Sequence, residues 1–439
     1  MSVYTKQHRI AKIAKRYRSE PLTLLHHYID QEWLRMAFRS LNKKSSPGID
    51  EQTVEDYEEK LDENLESLLE RAKSGRYRAP AVRGSEIPKP GSQEKRPIGV
   101  PTTEDKVLQK AVVMVLEPVY ELEFYDFSFG FRPGRSQHQA LEYLWKGLMD
   151  NNIHWVIDLD IRKFFDTMKH ETLRELVRIR VRDGVILRLI GKWLKAGVLR
   201  DGSISYRDEG TPQGGTISPL LSNIYLHEVL DRWYVEQVWP RLKGRSIIIR
   251  YADDAVIGFE DREDGERVMK ALQNQFEKYG LRLHPEKTRL IYFARPRCGS
   301  RKEGERKRGT FDFLGFTHYW ARSYKGNWIV RRKTSKKKFA EKMKKMNEWC
   351  RRSRHQPLNL QHEKLCQKLK GHYAYYGITG NSMSLQKYQL QVTRIWKKWL
   401  CRRSWRGKKL TWEKFNQMLK VHYPLPPPKV VHSIYAAKP

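Results

Sequence analysis

The sequence predicts an α+β protein with a separate basic, helical domain at its C-terminal end. Two observations predict it. From residue 155 to residue 330, short apolar runs of β-forming residues alternate with amphipathic stretches of helical period, the pattern of an α/β or α+β core. After about residue 331 the composition changes: 28 Lys and Arg stand against 4 Glu and no Asp, so +24 of the formal net charge of +34 lies in the last quarter of the chain. Three segments are expected on these grounds: a helical one over residues 1–75, a mixed one over 76–330 and the basic one over 331–439.

Leu22, Leu24, Leu25, Tyr28 and Ile29 recur at helical spacing, and an acidic helix is expected from about Glu51 to Ala72. Between them the Pro-Gly pair of SSPGID, Ser45 to Asp50, marks a turn. The stretch from Tyr77 to Pro101 places Pro, Gly and basic residues around short extended runs, as a β-hairpin does. RPRCGSRKEGERKRG, Arg295 to Gly309, is charged throughout and reads as a surface loop. The basic segment is helical where it is periodic, at Tyr388, Leu390, Val392, Ile395, Trp396 and Trp399, and it runs into the Pro-rich PLPPP.

A pI near 9.9 points to a polyanionic partner. The chain carries 13 Trp and 22 Tyr, so stacking on bases can accompany contact with phosphates. Cys298, Cys350, Cys366 and Cys401 have neither Cys-x-x-Cys spacing nor a His at zinc-finger distance, which argues against a structural zinc or a disulfide framework. No apolar run approaches the length needed to span a bilayer, and a cytoplasmic, bacterial, nucleoid-associated location is expected, with no membrane partner.

Two carboxylate motifs stand out. In SIIIRYADDAVIGF, Asp253 and Asp254 fall between two runs of β-formers, so they belong at the turn of a hairpin, where adjacent negative charges need a cation to offset them. In WVIDLDIRKFFD, strand alternation puts Asp158 and Asp160 on one side and Ile157, Leu159 and Ile161 on the other. Such a set suits two Mg²⁺ ions, because magnesium takes a few carboxylates together with phosphate oxygens, and a pair of ions is what nucleotidyl transfer requires.

The motifs occur in an order that resembles the reverse transcriptases encoded by group II introns, from about residue 35 to about residue 435. The matching stretches are EIPKPGSQEKRPIGVPTTEDKVLQKA, FSFGFRPGRSQHQA, VIDLDIRKFFDTMKH, GTPQGGTISPLLSNIYLHEVLD, RYADD, LHPEKT, FDFLGF and GHYAYYGITGN. The resemblance implies a right-hand polymerase fold: a helical N-terminal extension of the fingers, then fingers and a palm whose antiparallel sheet carries the carboxylates, then a helical thumb or maturase domain. It implies catalytic, metal-binding roles for Asp160, Asp253 and Asp254. It further implies that Lys89 and Arg96 clamp the triphosphate of a dNTP, that Phe165 is an aromatic gate against the ribose 2′-hydroxyl, and that Gln213 approaches the incoming nucleotide. Asp166 is expected to support a helix start, and Phe164 to lie in the core.

In the basic domain Trp396, Trp399, Trp405, Trp412, Tyr373, Tyr375 and Tyr376 are expected in the core, with Arg402, Arg403, Lys408 and Lys409 among the cations that contact RNA phosphates. The implied partners are the host group II intron RNA, an RNA template with a DNA primer, target DNA and dNTPs. The sequence departs from many intron proteins in having no Cys/His cluster of an HNH endonuclease after VVHSIYAAKP, so that domain is expected to be lacking. A host-domesticated, intron-like reverse transcriptase acting in DNA repair or phage defence is the alternative the sequence leaves open.

Overall fold

Helices open the chain, but the Leu22–Ile29 run departs from the helix expected of it: only Leu25–Tyr28 turns, as a 3-10 segment, because Leu22 is drawn into a parallel bridge with Val181. In the computed structural model, which describes residues 1–88, 95–200, 203–206, 210, 214–296 and 308–433 but not the side chains of Arg96 and Arg406, α1 (Val3–Arg16) buries Val3, Ile10 and Ala14. Asp30 caps α2 (Gln31–Arg39), which buries Trp33, Leu34, Ala37 and Phe38. The acidic stretch expected as one helix is two, α3 (Val54–Glu58) and α4 (Leu61–Ser74), because Lys60 leaves helical geometry at φ −120° and ψ 40°. A capping box of Thr53 and Asp56 starts α3, and Gly75, left-handed at φ 82°, ends α4.

β1 (Val82–Pro88) and β2 (Lys95–Val100) form an antiparallel pair in register from Arg83↔Val100 to Pro88↔Lys95. α5 (Thr103–Tyr120) follows at once, started by the Thr102 hydroxyl, which accepts from the Asp105 N–H. Its run VLQKAVVMVLEPVY is apolar on nearly every side, so the helix is covered all round. Trp33 donates its Nε1–H to the Ala111 carbonyl of α5 at 3.0 Å. α6 (Gln137–Asp150) leads to β3 (Trp155–Leu159), followed by α7 (Phe164–Thr167), α8 (His170–Arg180) and α9 (Gly184–Leu194). β4 (Val198–Arg200) comes back to pair parallel with β1, and with β5 (Ser203–Ser205) it completes a sheet of order β2-β1-β4-β5. α10 (Ser218–Leu226) runs on into two π-helical segments, His227–Arg232 and Tyr234–Val238. Then β6 (Ser246–Tyr251), β7 (Asp254–Phe259), α11 (Arg262–Lys278) and β8 (Arg289–Tyr292) supply a second sheet, of order β6-β7-β3-β8.

The chain forms two compact units, Met1–Tyr143 with Trp155–Leu290, and Leu144–His154 with Ile291–Pro439. The first has one hydrophobic core that runs from Val3 to Leu281, so the N-terminal helices share it with the strands that follow. The larger segment of the second begins forty residues before the composition changes. There β9 (Phe311–Phe313), β10 (Phe316–Arg322) and β11 (Trp328–Thr334) form a sheet of order β11-β10-β9 and pack with the basic helices α12 (Lys336–Ser353), α13 (Leu358–Tyr376), α14 (Ser382–Cys401) and α15 (Trp412–Val421). Tyr375 donates its hydroxyl to the Leu314 carbonyl at 3.0 Å, and Asn381 Nδ2 donates to Thr334 Oγ1 at 3.0 Å. The first of these bonds ties α13 to the turn between β9 and β10, and the second ties the start of α14 to the end of β11.

Candidate active site

Strand pairing brings the acidic motifs together. β6 and β7 close as a hairpin with Tyr251 opposite Asp254, leaving Ala252 and Asp253 as its two turn residues. Ala252 takes the left-handed φ of 56° that such a tight reversal demands of its first central residue, usually a Gly. On its other side β7 pairs with β3, Leu159 opposite Ala255, so the next step along the ladder sets Asp160 opposite Asp254. Asp254 is exposed, Asp253 and Asp160 are half-buried, and Ile157, Leu159 and Ile161 are buried, the alternation read from the sequence.

The LHPEKT stretch wraps the end of β3. The His284 N–H donates to the Asp160 carbonyl at 2.9 Å, and Thr288 Oγ1 accepts from the Asp160 N–H at 3.3 Å. Lys287 places its ammonium 3.0 Å from Asp160 Oδ2. Among the described residues no three His, Cys, Asp or Glu side chains already converge on a common ion position. The donor set nevertheless fits a hard divalent cation, since it offers carboxylate oxygens alone at the ends of neighbouring strands.

Beneath the turn lies a buried network that the motifs did not announce. Arg250, on β6, and Asp231, on the first π-helical segment, are both fully buried and meet side-on, Nε to Oδ1 at 2.8 Å and Nη2 to Oδ2 at 2.5 Å. Arg250 Nη1 also donates to Asn223 Oδ1 at 2.9 Å and to the Ala252 carbonyl at 3.1 Å. Asn223 Nδ2 in turn donates to the Gly130 carbonyl at 2.6 Å. Gly130 lies so close to the turn that a Cβ there would collide with the backbone of Tyr251 and Ala252. The one signal in the sequence was Arg250 itself, a charge at the end of an otherwise apolar strand.

Phe164 is buried in the core and Phe165 is half-buried, their rings edge-to-face at 5.3 Å. Asp166 sits in the first turn of α7. Gly210, at φ 90°, backs onto this segment: a Cβ there would lie 3.0 Å from the Phe165 carbonyl. Gly214, at φ 123°, approaches β2 so closely that a Cβ would lie 2.6 Å from the Gly99 carbonyl. Lys89 and Gln213 lie outside the described residues, as does the side chain of Arg96, whose backbone pairs with Ile87 in the hairpin.

In the second unit Arg402, Lys408 and Lys409 are exposed and Arg403 is half-buried. Trp396, Tyr373 and Tyr376 are core residues, Trp396 donating to Gln361 Oε1 at 3.1 Å. Trp405 and Trp412 depart from the core placement expected of them. They are 70% and 49% exposed, with a cation over each ring, Lys409 at 4.4 Å from Trp405 and Lys397 at 4.7 Å from Trp412, which also meets Phe415 edge-to-face at 5.9 Å.

Residues 87–318 match the family model described as reverse transcriptase (RNA-dependent DNA polymerase). The chain is 34% identical to Protein YkfC of Escherichia coli strain K12 over 294 residues, 59% of this chain and 76% of that protein. It is 38% identical to the group II intron-encoded protein LtrA of Lactococcus lactis subsp. cremoris over 232 residues, which span 52% of this chain but only 38% of LtrA. A shorter match, 31% identical over 144 residues, covers 32% of this chain and 17% of the nuclear intron maturase 4, mitochondrial, of Arabidopsis thaliana. The family match takes in β3, the β6–β7 hairpin and the LHPEKT stretch that meets Asp160, the same elements that gather the carboxylates. With more than half its length inside that model, the chain belongs to the reverse transcriptase (RNA-dependent DNA polymerase) family.

Proposed function

We propose that this chain is the RNA-directed DNA polymerase of a group II intron, which binds its host intron RNA, assists its splicing and copies it into DNA for retrohoming. The observation that carries the polymerase half is the strand register that sets Asp160 opposite Asp254 beside the Asp253 turn. The maturase half rests on the +24 carried by residues 331–439 and on the likeness to LtrA. On this reading the first unit supplies fingers and palm and the second most of the thumb.

Asp160, Asp253 and Asp254 would hold two Mg²⁺ ions. When bound, such ions favour the ionised primer 3′-hydroxyl and neutralise charge on the leaving pyrophosphate. Phe165 fills the space a ribose 2′-hydroxyl would need, so the pocket selects dNTPs. Lys89 and Arg96 hold the triphosphate, and Gln213 meets the incoming nucleotide. Arg402, Arg403, Lys408 and Lys409 engage phosphates of the intron RNA. Among the described residues no helix is long and apolar enough to cross a membrane. A place in the bacterial cytoplasm, on the nucleoid, follows from the nucleic-acid partners.

The test separates the two activities. Asp253→Ala with Asp254→Ala should abolish primer extension on an RNA template yet keep intron binding and splicing assistance. Charge reversal at Arg402, Arg403, Lys408 and Lys409 should do the opposite and flatten the salt dependence of RNA binding. Equal affinity for the intron and for an unrelated structured RNA, with splicing indifferent to the protein, would leave a general polymerase and remove the maturase role.

A further inference from the structure

We propose that the buried Arg250–Asp231 pair is a positioning device for the metal-binding turn. It acts through the Ala252 carbonyl to hold Asp253 and Asp254 where their ions require them, and it rests on the polymerase reading above.

Stability alone does not account for a fully buried ion pair, because a well-packed apolar pair of similar volume usually serves a core as well. What an apolar pair cannot do is bond. Four N–H groups of the Arg250 guanidinium are engaged, two by Asp231 and one each by Asn223 and the Ala252 carbonyl, the peptide group that joins Ala252 to Asp253. The backbone of Arg250 is fixed as well: its N–H donates to the Phe127 carbonyl at 2.9 Å and its carbonyl accepts from the Phe129 N–H at 2.9 Å. The guanidinium is therefore a rigid, planar bracket, its Nε and Nη2 held by Asp231 and its Nη1 turned to the Ala252 carbonyl and Asn223.

The turn needs a bracket. Ala252 sits at φ 56°, where a residue with a Cβ persists only when its surroundings over-determine it. Gly130 closes on the same turn and is itself held by Asn223, so one guanidinium ties together α10, the π-helical segment, the loop at 127–130 and the turn. Asp231 lies within His227–Arg232, a run of π-helical pitch, which is rare and found frequently at functional sites. A displacement of about 1 Å at reacting groups can cost about 100-fold in rate, so a bracket that removes that freedom has a catalytic use.

The deciding variant is Arg250→Met together with Asp231→Leu, which removes the bracket without leaving a buried charge unpaired. Three readouts apply: steady-state extension of a DNA primer on RNA, primer–template affinity, and luminescence titration with Tb³⁺ competed by Mg²⁺. We expect kcat to fall by about 100-fold, Tb³⁺ affinity to weaken by about 10-fold or more, and both KM for dNTP and primer–template affinity to stay within about 2-fold. A folded double variant with unchanged kcat and unchanged Tb³⁺ affinity overturns the proposal. If that variant does not fold, Asn223→Ala decides: it keeps the ion pair but frees one side of the bracket, and an unchanged kcat and ion affinity in it overturn the proposal equally. Ion binding needs no turnover, so an unaltered chain that binds Tb³⁺ at this site but extends no primer would strike the polymerase reading and leave the positioning role standing.

Discussion

The mouth and the floor of the carboxylate site each pair an aspartate with a cation, and the two pairs are built in opposite ways. At the mouth, Lys287 reaches Asp160 with a single contact at 3.0 Å, the two side chains 52% and 36% exposed. At the floor, Arg250 and Asp231 are both fully buried and meet through two hydrogen bonds, with two more from Arg250 to its surroundings. Water screens the first pair, so its partners can exchange for others at little cost. The second has no water to fall back on, and losing either partner leaves a charge stranded. On the proposed function, an exchangeable pair suits a carboxylate that accepts an arriving cation, and a fixed pair suits the frame that presents it.

The largest expected effect breaks the floor. Asp231→Ala should destabilise the first unit by about 3–5 kcal/mol, measured by chemical denaturation, because Arg250 would be left buried and uncompensated. A loss below about 1 kcal/mol would mean the pair is solvated in solution. Next comes the mouth: Asp160→Ala should abolish primer extension with Mg²⁺ while the denaturation midpoint holds, since the residue is half-exposed and its loss opens no cavity.

Acid should sharpen the same contrast between buried and exposed groups. Burial pushes the His227 imidazole, 4.0 Å from Asp231, down to about 4, and pushes His318 and His372 down to about 3. The unfolded chain takes up these protons near the ordinary histidine value of 6.5, the folded chain only at about 3 to 4. Stability from these groups is thus fully present above pH 6.5 and falls as the pH drops toward 4, by up to about 1.4 kcal/mol per pH unit for each histidine. Denaturation midpoints at pH 7, 6 and 5 read the slope, and a flat profile would show that the histidines are not held neutral.

Smaller effects remain at the mouth. Phe165→Ala should admit ribonucleotides by opening the volume of one oxygen, and unchanged dNTP/rNTP discrimination would return Phe165 to a packing role. Lys287→Met should shift stability by no more than about 0.5 kcal/mol, as for other exposed pairs, and a loss of several times that would erase the distinction drawn between mouth and floor.

What the sequence disclosed follows the same division. Period-two alternation in WVIDLDI and the β-formers flanking Asp253 and Asp254 are local, and each reports its own strand, so the hairpin and the facing of Asp160 were legible. The break between α3 and α4 was not, because Val54, Tyr57, Leu61, Leu65 and Leu68 keep helical spacing straight across Lys60. The floor was illegible for another reason. Arg250 could be noticed as a charge in an apolar strand, but its partner lies 19 residues away on a helix of unusual pitch, where neither spacing nor composition points to it. Trp405 and Trp412 misled because average burial describes a residue type, whereas a neighbouring Lys can cover an indole at the surface.

Gly214 meets the Gly99 peptide and the Ile98 side chain, a Cβ at 214 falling 2.6 Å from the Gly99 carbonyl and 2.8 Å from Ile98 Cγ2. Most contacts in a protein are negotiable, since a change on one side chain can be answered by a change on another. Here Ile98 could be trimmed, but the Gly99 carbonyl has nothing to give. Any residue larger than glycine at 214 must either push the β2 strand outward or take up a φ of 123° that a side chain resists. In a library of random variants position 214 should therefore show as a gap that changes at Ile98 do not refill, even while residues around it drift.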